Sequence, residues 1–420
     1  MQTPPPQHPN ADVRMRGFAE RISVDAAIAW LDAALDGQQQ LGCEVVTLDV
    51  AAGRVLAEAV TSKVNVPNFQ RAMMDGYALR TIDIAAASAE NPVSLEVLGD
   101  CFPGEAFDGK VEAGQAVRIM TGAPLPPGVD AVLPVEQTVS AGKQVLALTN
   151  LPVGKNLGHV GEDIRCSDTV LSAGRVLRPQ DIGVLSSIGH GQVTVVRRPR
   201  VRIVVTGDEL LPAGAQPQGS RIVDANGPML MALARRDGGL PSQLGIVADD
   251  RDSILSALNE DADVVLTSGG SSVGQEDHVP TLLAEFGELA VHGVAMRPAG
   301  PIGMGTFGGQ LVVLLPGNPV ACLWGYDLLA GRAIRRLGGR PADWPYRKEV
   351  ASLTGELISP VGRLDYVRIK MARGAVTPVP SSGASVLSST TRADGFLVIP
   401  MDVAGYAAGT EVEVFMYDSP

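Results

Sequence analysis

The sequence predicts a multidomain α/β plus β protein, in which residues 199–340 form a doubly wound α/β domain. Three short apolar segments rich in β-branched residues, at 201–205, 263–268 and 311–315, each end in a polar turn that contains glycine. Such segments are typical of strands buried on both faces of a parallel sheet. Helical patterns lie between or after them, at 227–236, 251–260, 279–286 and 320–337. In a sheet of this kind, ligands bind outside the carboxyl ends of the strands.

Composition and charge limit the classes of function. A chain of 420 residues is too long for one hydrophobic core, so several domains are expected. The formal net charge of -12 argues against nucleic-acid binding, because no basic surface would offset phosphate repulsion. The four cysteines show no CxxC spacing, which suits a reducing compartment. No apolar run approaches the ~20 residues of a membrane span, and residues 1–20 are expected to be a disordered tail and not a signal peptide. The expected location is the cytoplasm.

The segments on either side of the α/β domain predict further domains. Residues 61–151 carry short alternating strands separated by Gly, Pro and Asp, which indicates a β-rich module. This module interrupts two segments of mixed character, 21–60 and 152–198, and we expect it to be inserted into one N-terminal domain. Residues 341–420 again predict strands, as in a small β-barrel or sandwich.

Two of the polar turns have the chemistry of an anion site. Asn318 and Pro319 follow the third strand as a helix N-cap and a first helical residue, so free N–H groups and the positive end of the helix dipole would point outward. Residues 269–272 read Gly-Gly-Ser-Ser, which lets backbone amides approach a phosphate closely. Each pattern alone also fits ordinary helix initiation or a plain βα turn. Neither matches the P-loop or the GxGxxG fingerprint, which disfavours a triphosphate or a dinucleotide.

Carboxylates gather at the same strand ends and suggest a hard divalent cation. Mg²⁺ takes one or two carboxylates together with substrate oxygens and water. Asp249 and Asp250 serve equally well as metal ligands or as the N-cap of the helix that begins at Arg251, and both roles stay open. For Glu209 and Asp277 the functional role is favoured. The five histidines show no zinc-site spacing.

The ordered set of motifs resembles the molybdopterin molybdenumtransferase family, which includes MoeA and the gephyrin E domain. The stretches that carry the resemblance are residues 74–78, 121–124, 161–164, 206–210, 222–226, 249–250, 268–274 with Asp277, and 315–319. The resemblance implies a central MogA-like α/β domain, an N-terminal mixed domain with a β-rich insert and a C-terminal β-barrel.

The resemblance also implies a late step of molybdenum cofactor synthesis. Adenylylated molybdopterin is bound, its adenylate is hydrolysed, molybdate is inserted at the dithiolene, and AMP leaves, with Mg²⁺ or Zn²⁺ assisting. The family is an elongated homodimer in which the N-terminal parts of one subunit face the α/β domain of the other. The expected protein partners are an upstream adenylyltransferase and proteins that mature molybdoenzymes downstream. Nucleic acid and membranes are not expected partners.

Residue roles follow by match to the family motifs. The expected active-site residues are Asp75, Thr121, Asp163, Glu209, Asp249 and Asp277. Of these, Asp249 and Asp277 resemble the carboxylates nearest the metal. Residues expected to bind substrate, most of them around the pterin, are Asn226, Ser268, Gly269, Gly270, Ser271, Arg297, Pro316, Pro319 and Arg368.

The chain departs from the family pattern at two places. The family usually carries two basic residues in a Lys-Pro-Gly-Lys-Pro-like turn, whereas residues 297–301 read Arg-Pro-Ala-Gly-Pro, so the second cation is missing. Capture of an anion should be weaker there, unless Arg363 or Arg368 substitutes. Ala72 and Met73 also replace a Ser-Ala pair of the family, which bears on substrate affinity or metal preference.

Two other functions are consistent with parts of the pattern. Molybdopterin adenylylation is performed by a related α/β domain, but usually by that domain alone, whereas this chain has long additions at both ends. A non-catalytic, gephyrin-like scaffold would keep the fold and use its surface for a partner. The presence of Asp75, Glu209, Asp249 and Asp277 favours catalysis.

Overall fold

The computed structural model describes residues 21–37, 41–269, 278–379 and 383–417. The chain folds into two compact units. One consists of Val45–Ala52 and Leu56–Thr194, and the other contains the described residues up to Glu44, Gly53–Val55 and the described residues from Val195 onward. None of the helices in these ranges is both long and apolar enough to cross a membrane.

The first part of the chain contains one six-stranded mixed sheet within its described residues, with strand order β7-β4-β6-β5-β9-β8. Alternate side chains of β4 enter two apolar clusters, Tyr77 and Leu79 on one face and Ala78 on the other, as the period of two in a strand requires. The predicted β-rich insert is confirmed. The elements up to residue 196 are α1 (Val24–Asp36), β1 (Cys43–Thr47), β2 (Val60–Thr61), β3 (Arg71–Ala72), β4 (Gly76–Leu79), β5 (Val93–Cys101), β6 (Gln115–Ile119), β7 (Ala131–Pro134), β8 (Thr138–Ala141), β9 (Gln144–Ala147), β10 (Leu157–Gly158), β11 (Thr169–Leu171), α2 (Pro179–Ser187) and β12 (Gln192–Val196).

The α/β domain follows with a sheet of order β16-β13-β17-β21-β20-β18 in the described structure. Strands β16, β13, β17 and β21 are parallel, and β20 and β18 extend the sheet antiparallel. Its elements are β13 (Arg200–Thr206), β14 (Leu210–Leu211), β15 (Ile222–Val223), α3 (Asn226–Arg236), β16 (Leu240–Val247), α4 (Arg251–Leu258), β17 (Val264–Ser268), α5 (His278–Phe286), β18 (Glu288–His292), β19 (Met296–Arg297), β20 (Gly303–Phe307), β21 (Gln310–Leu315), α6 (Pro319–Gly325), a π-helical turn (Tyr326–Ala330) and α7 (Gly331–Leu337).

Helices cover both faces of this sheet, which confirms the doubly wound prediction. Side chains of β13 alternate between two clusters: Val201, Ile203 and Val205 pack with α3, α6 and α7, whereas Val204 packs with α4 and α5. The sequence did not predict the antiparallel pair. Gly305 lies on β20 where an added Cβ would stand 1.8 Å from the carbonyl oxygen of Glu288, so the pairing requires a glycine that weakens the strand pattern.

The C-terminal part forms the predicted β-barrel. Five of its described strands close into a ring, because β24 pairs with both β25 and β26, β28 pairs with both β26 and β22, and β22 pairs with β25. Ile369, Val376, Leu397 and Val414 fill the interior. The elements are β22 (Arg347–Leu353), β23 (Leu357–Ile358), β24 (Leu364–Ala372), β25 (Ala375–Pro378), α8 (Ser388–Thr391), β26 (Gly395–Ile399), β27 (Gly405–Tyr406) and β28 (Glu411–Met416).

Candidate functional site

The carboxyl ends of three neighbouring parallel strands lie side by side. Val205 of β13 is in register with Ser268 of β17, and Ser268 is in register with Leu315 of β21. The turns that follow these residues therefore leave the sheet at one edge, as the sequence predicted. This is the edge where ligands bind in doubly wound sheets.

A buried amide connects the end of β17 with the turn after β21. The side chain of Asn226, 7% exposed, donates from Nδ2 to Ser268 Oγ and to the carbonyl oxygen of Gly317, each at 2.8 Å. Because a carbonyl can only accept, these contacts assign the two ends of the amide. Asn226 Oδ1 is buried and has no hydrogen-bond partner in the described structure. The site thus holds an acceptor that still needs a donor.

Two buried groups beneath this amide support it. Asp224 accepts a hydrogen bond from the backbone N–H of Gly227 at 2.8 Å and one from the Gln243 side chain at 3.2 Å, so it acts as a cap for α3. Cys322 of α6 is fully buried, and burial raises the pKa of its thiol to about 12, with the Ser268 hydroxyl opposing that shift. Asp224 thus orders the start of α3, where Asn226 lies, and Cys322 contacts Ser268, which accepts from Asn226.

The turn after β17 begins with Gly269, and any other residue at this position would be strained. Gly269 has φ +98, and an added Cβ would lie 2.2 Å from the carbonyl oxygen of Thr206. The backbone of this turn therefore lies directly against the end of β13. The predicted residues Gly270, Ser271 and Asp277 lie outside the described residues.

The structure distinguishes the roles of Asp249 and Asp250, which the sequence left open. Asp250 is the N-cap of α4 and accepts from the backbone N–H groups of Asp252 at 3.1 Å and Ser253 at 2.9 Å. The bond from the Ser253 N–H holds the pKa of the Asp250 carboxyl below its usual value. Asp249 is half-buried and accepts from the Thr206 hydroxyl at 2.8 Å, which fixes its carboxylate at the strand ends.

Glu209 lies in the turn after β13. Its exposed side chain covers Gly207, where an added Cβ would stand 2.6 Å from Glu209 Oε2. Gly207 has φ +148, so the turn requires a glycine there. The sequence prediction of an acidic group at this strand end is therefore consistent with its place in the fold.

A second acidic group lies in the other compact unit. Asp75, just before β4, accepts from both the backbone N–H and the hydroxyl of Thr121, each at 2.7 Å. The turns meet because β4 and β6 are antiparallel partners with Gly76 opposite Ile119. These bonds, the backbone one first, hold the pKa of the Asp75 carboxyl below its usual value. Two predicted active-site residues are thus directly bonded.

Asp163 belongs to the same unit as this pair. It is exposed, and its backbone N–H donates to the carbonyl oxygen of Val66 at 3.1 Å. Strand β3 connects the surrounding turns: Gly158 is the register partner of Arg71, and Gly122 donates to the carbonyl oxygen of Ala72 at 2.8 Å. Arg71 also pairs with Glu162 at 2.9 Å.

Comparison with known proteins agrees with this arrangement. The family model described as the MoeA N-terminal region (domain I and II) matches residues 22–189, that of a probable molybdopterin binding domain matches 202–336, and that of the MoeA C-terminal region (domain IV) matches 350–417. Molybdopterin molybdenumtransferase 2 of Mycobacterium tuberculosis is 34% identical over 385 residues, which cover 88% of this chain and 94% of the relative. This chain belongs to the molybdopterin molybdenumtransferase (MoeA) family.

Other members share its length and its fold. Molybdopterin molybdenumtransferase of Staphylococcus epidermidis is 30% identical over 386 residues, 89% of this chain and 91% of that protein. The crystal structure of the molybdopterin biosynthesis MoeA protein from Pyrococcus horikosii superposes with a TM-score of 0.80 at 31% identity, covering 95% of this chain and all of that one.

Two of the predicted MoeA pocket residues frame the third turn. Pro316 is buried immediately after β21, and Pro319 is the first residue of α6. Asn318 is the N-cap by position, but its side chain makes no capping hydrogen bond within the described structure. The N–H of Val320 donates instead to the carbonyl oxygen of Ala384, at 2.9 Å. One backbone N–H donor at the predicted N-terminus of the helix is therefore already bonded to a loop of the C-terminal part.

The basic residues considered at the sequence level lie in different environments. Arg297 is exposed at the end of β19, in register with Asp365 of β24. Arg363 donates to Asp365 at 2.8 Å. Arg368 is 6% exposed, donates to the Ser389 hydroxyl, and has its pKa lowered by burial.

Of the two predicted metal ligands, Asp249 lies within the described residues. In the described ranges, no three His, Cys, Asp or Glu side chains form a group that could hold a metal ion. The expected partner of Asp249, Asp277, falls outside those ranges. Asp249 itself has the ligand chemistry that a hard divalent cation prefers.

Sequence reasoning missed the supporting residues of the site. The sequence patterns assign no role to Thr206 or Cys322. Cys322 lies within the first turns of α6, close to the Asn318-Pro319 signal, and that signal could have placed it near the site. The contact between Thr206 and Asp249 joins β13 to the loop after β16, and no local pattern predicts it.

Proposed function

We propose that this protein is a molybdopterin molybdenumtransferase. It binds adenylylated molybdopterin, hydrolyses the phosphoanhydride that joins the adenylate, inserts molybdate at the dithiolene and releases AMP. The observation that supports this most directly is the convergence of the β13, β17 and β21 ends around the buried amide of Asn226. Relatives that carry this activity in their names match this chain over nearly its whole length.

The pterin pocket, in this proposal, is formed by the strand-end turns. Asn226 and Ser268 form its floor, Gly269 gives the ligand access to the backbone, and Pro316 and Pro319 border it. Gly270 and Ser271, which follow Gly269 in the sequence, are proposed to bind the phosphate. A pterin ring carries N–H donors, which match the acceptor character of Asn226 Oδ1.

The acidic residues of this edge handle the hydrolysis. Asp249, fixed by Thr206, would hold a Mg²⁺ or Zn²⁺ ion together with Asp277. When bound, such an ion neutralises charge on the phosphoanhydride oxygens and lowers the pKa of a bound water. Glu209, exposed beside Gly207, accepts the proton of the attacking water. Arg297 and Arg368 contribute positive charge for the anionic groups.

The second acidic group completes the site from a neighbouring copy. In this proposal the protein is a homodimer, and Asp75, Thr121 and Asp163 of one subunit face the strand ends of the other. The bonds from Thr121 keep Asp75 ionised, which suits a carboxylate that accepts a hydrogen bond from the attacking water or from a substrate hydroxyl. The adenylylated substrate comes from an upstream adenylyltransferase, and the product passes to proteins that load molybdoenzymes.

Reconstitution tests the proposed reaction. Purified protein, adenylylated molybdopterin, molybdate and Mg²⁺ should yield AMP and an active cofactor, the latter measured by activating an apo-molybdoenzyme. Asp249→Asn should abolish AMP release, because the amide keeps the shape of the carboxylate but loses its charge. Production of adenylylated molybdopterin from ATP would instead show an adenylyltransferase, and a folded protein that releases no AMP would refute the proposal.

A further inference from the structure

The carboxylate of Glu162 connects the turn that contains Asp163 to strand β3. It accepts from the backbone N–H of His159 and from Arg71 Nη2, each at 2.9 Å and each through a different oxygen. The bond from the His159 N–H and the bond from Arg71 hold the pKa of Glu162 below its usual value. Because one donor belongs to the same turn and the other to β3, the ionised carboxylate ties these two segments together.

Gly158 leaves the space that this ion pair occupies. It lies on β10 as the register partner of Arg71. A Cβ added to Gly158 would lie 2.9 Å from Arg71 Cγ and 3.1 Å from Glu162 Oε1. It would also lie 3.1 Å from the sulfur of Met73. These side chains therefore pack directly over the backbone of residue 158, and a side chain at that position would displace them.

Strand β3 also contacts the turn that holds Asp75. Ala72 follows Arg71 in β3, and its carbonyl oxygen accepts from the Gly122 N–H at 2.8 Å. Thr121, the residue before Gly122, donates to Asp75 from its backbone and from its hydroxyl, each at 2.7 Å. The two predicted acidic turns of this compact unit are thus linked through β3, and the Arg71 guanidinium makes the side-chain part of that link.

We propose that Arg71 and Glu162 are positioning residues of the active site. Their ion pair fixes the place of Asp163 relative to Asp75 and Thr121, so that both carboxylates meet the same substrate. A displacement of ~1 Å of a group that acts on a substrate can lower the rate about a hundredfold. The two side chains are 39% and 29% exposed, and a pair with that exposure contributes little to folding stability. The assignment rests on the proposed function, in which both aspartates belong to the active site.

Steady-state kinetics of AMP release test the role of the pair. Arg71→Met and Glu162→Gln should each lower kcat about tenfold and leave the KM values near those of the wild type, because neither residue contacts the substrate in this proposal. Arg71→Lys, which keeps the positive charge, should recover part of the rate. The double variant should also lose about tenfold, since either substitution alone breaks the pair. Single variants with a normal kcat, or losses that multiply to about a hundredfold in the double variant, would overturn the assignment.

A third substitution tests whether the pair acts through Asp163. In an Asp163→Asn background, Glu162→Gln should lower the remaining kcat by less than about twofold, because the group that the pair positions is already lost. A further loss of about tenfold in that background would show that the pair acts elsewhere and would refute its assigned role.

Urea denaturation and a matched control separate positioning from a purely structural role. A pair that served only the fold would give variants that unfold at a lower urea concentration but keep the wild-type kcat per folded molecule, and that result would overturn the assignment. Glu112→Gln breaks an exposed ion pair with Lys110 in the same unit and should leave kcat unchanged. Failure of the proposed function is distinct, because the wild-type protein itself would then release no AMP.

Discussion

The pKa of the Asp75 carboxyl depends on its neighbour Thr121. Both hydrogen bonds come from Thr121, one from its backbone and one from its hydroxyl, and they lower the pKa of Asp75. A carboxyl whose pKa is lowered in the folded protein stays ionised until the pH falls through that lowered value. Any activity that needs the carboxylate is therefore present at neutral pH and is lost towards acid.

Thr121→Val tests this dependence. The substitution removes the hydroxyl bond and leaves the backbone bond, so the pKa of Asp75 should rise and the acid limb of AMP release should move to higher pH. The measurement is a pH–rate profile of both proteins. An unchanged acid limb would mean that Asp75 does not govern it. Thr149→Val, a substitution of a partly exposed threonine in the same unit, should leave the profile as it is.

Gly269→Ala tests how closely the turn after β17 approaches β13. The new Cβ would meet the Thr206 carbonyl at 2.2 Å, in a residue with φ +98. Strain and overpacking together should lower the free energy of unfolding by ~2–5 kcal/mol, measured by urea denaturation, and AMP release should fall. Gly409→Ala has φ +83 with open space around the Cβ, so it should cost only ~1–2 kcal/mol. Equal losses in the two variants would contradict the close approach.

Single residues differ in how far the sequence reveals them. Asp75, Glu209 and Asn226 lie in short motifs of turn residues, so the local pattern marks them. Thr206 has no such signal, because its contact with Asp249 joins the end of β13 to the loop after β16. Contacts between distant segments are set by the tertiary fold, and one sequence carries little information about them.

At the level of elements, Asp250 serves as the N-cap of α4, and this gives it a different role from the adjacent Asp249. Asp250→Ala removes the acceptor for Asp252 and Ser253 N–H groups, so the protein should denature at a lower urea concentration while AMP release per folded molecule stays near wild type. Asp249→Asn should show the reverse, with near-normal stability and no AMP release. Circular dichroism and the AMP assay together distinguish them, and loss of activity in both would leave the two roles unseparated and contradict the assignment.

Elements were predictable where their burial was uniform. β13, β17 and β21 each contain a run of buried apolar residues because helices cover both faces, and the sequence shows these runs clearly. β16 was missed, since Leu240–Val247 contains proline and glycine and its residues are only partly buried at the sheet edge. The predicted helix over 320–337 is interrupted by a π-helical turn at Tyr326–Ala330, which side-chain periodicity does not reveal.

At the scale of the larger unit, the π-helical turn carries a buried charge network. Asp327, fully buried, accepts from Arg236 of α3 at 2.7 Å and from Tyr346 at 2.8 Å. Trp344 donates to the Asp327 carbonyl at 3.1 Å and lies against Phe415 of the barrel. The network thus joins α3, the π-helical turn after β21 and, through Trp344, the C-terminal barrel.

The predicted site residues are divided between the two compact units. Asp75, Thr121 and Asp163 belong to the unit that contains Leu56–Thr194, whereas Glu209 and Asp249 belong to the other. Under the proposed homodimer, one working site takes the first group from one subunit and the second group from its partner. Because of this division, an activity assay can show which subunit supplies each group of residues.

Mixing two inactive variants tests that origin. Asp75→Asn and Asp249→Asn should each be inactive, because each removes one group from both sites of the dimer. If the groups come from different subunits, a mixed dimer has one site with both substitutions and one with neither, so unfolding and refolding a mixture should restore AMP release. A random mixture contains half mixed dimers with one intact site each, and recovery should approach about a quarter of the wild-type rate by that count. If the groups come from the same subunit, every site in the mixture lacks one carboxylate and the mixture stays inactive, which would rule out a site shared between subunits.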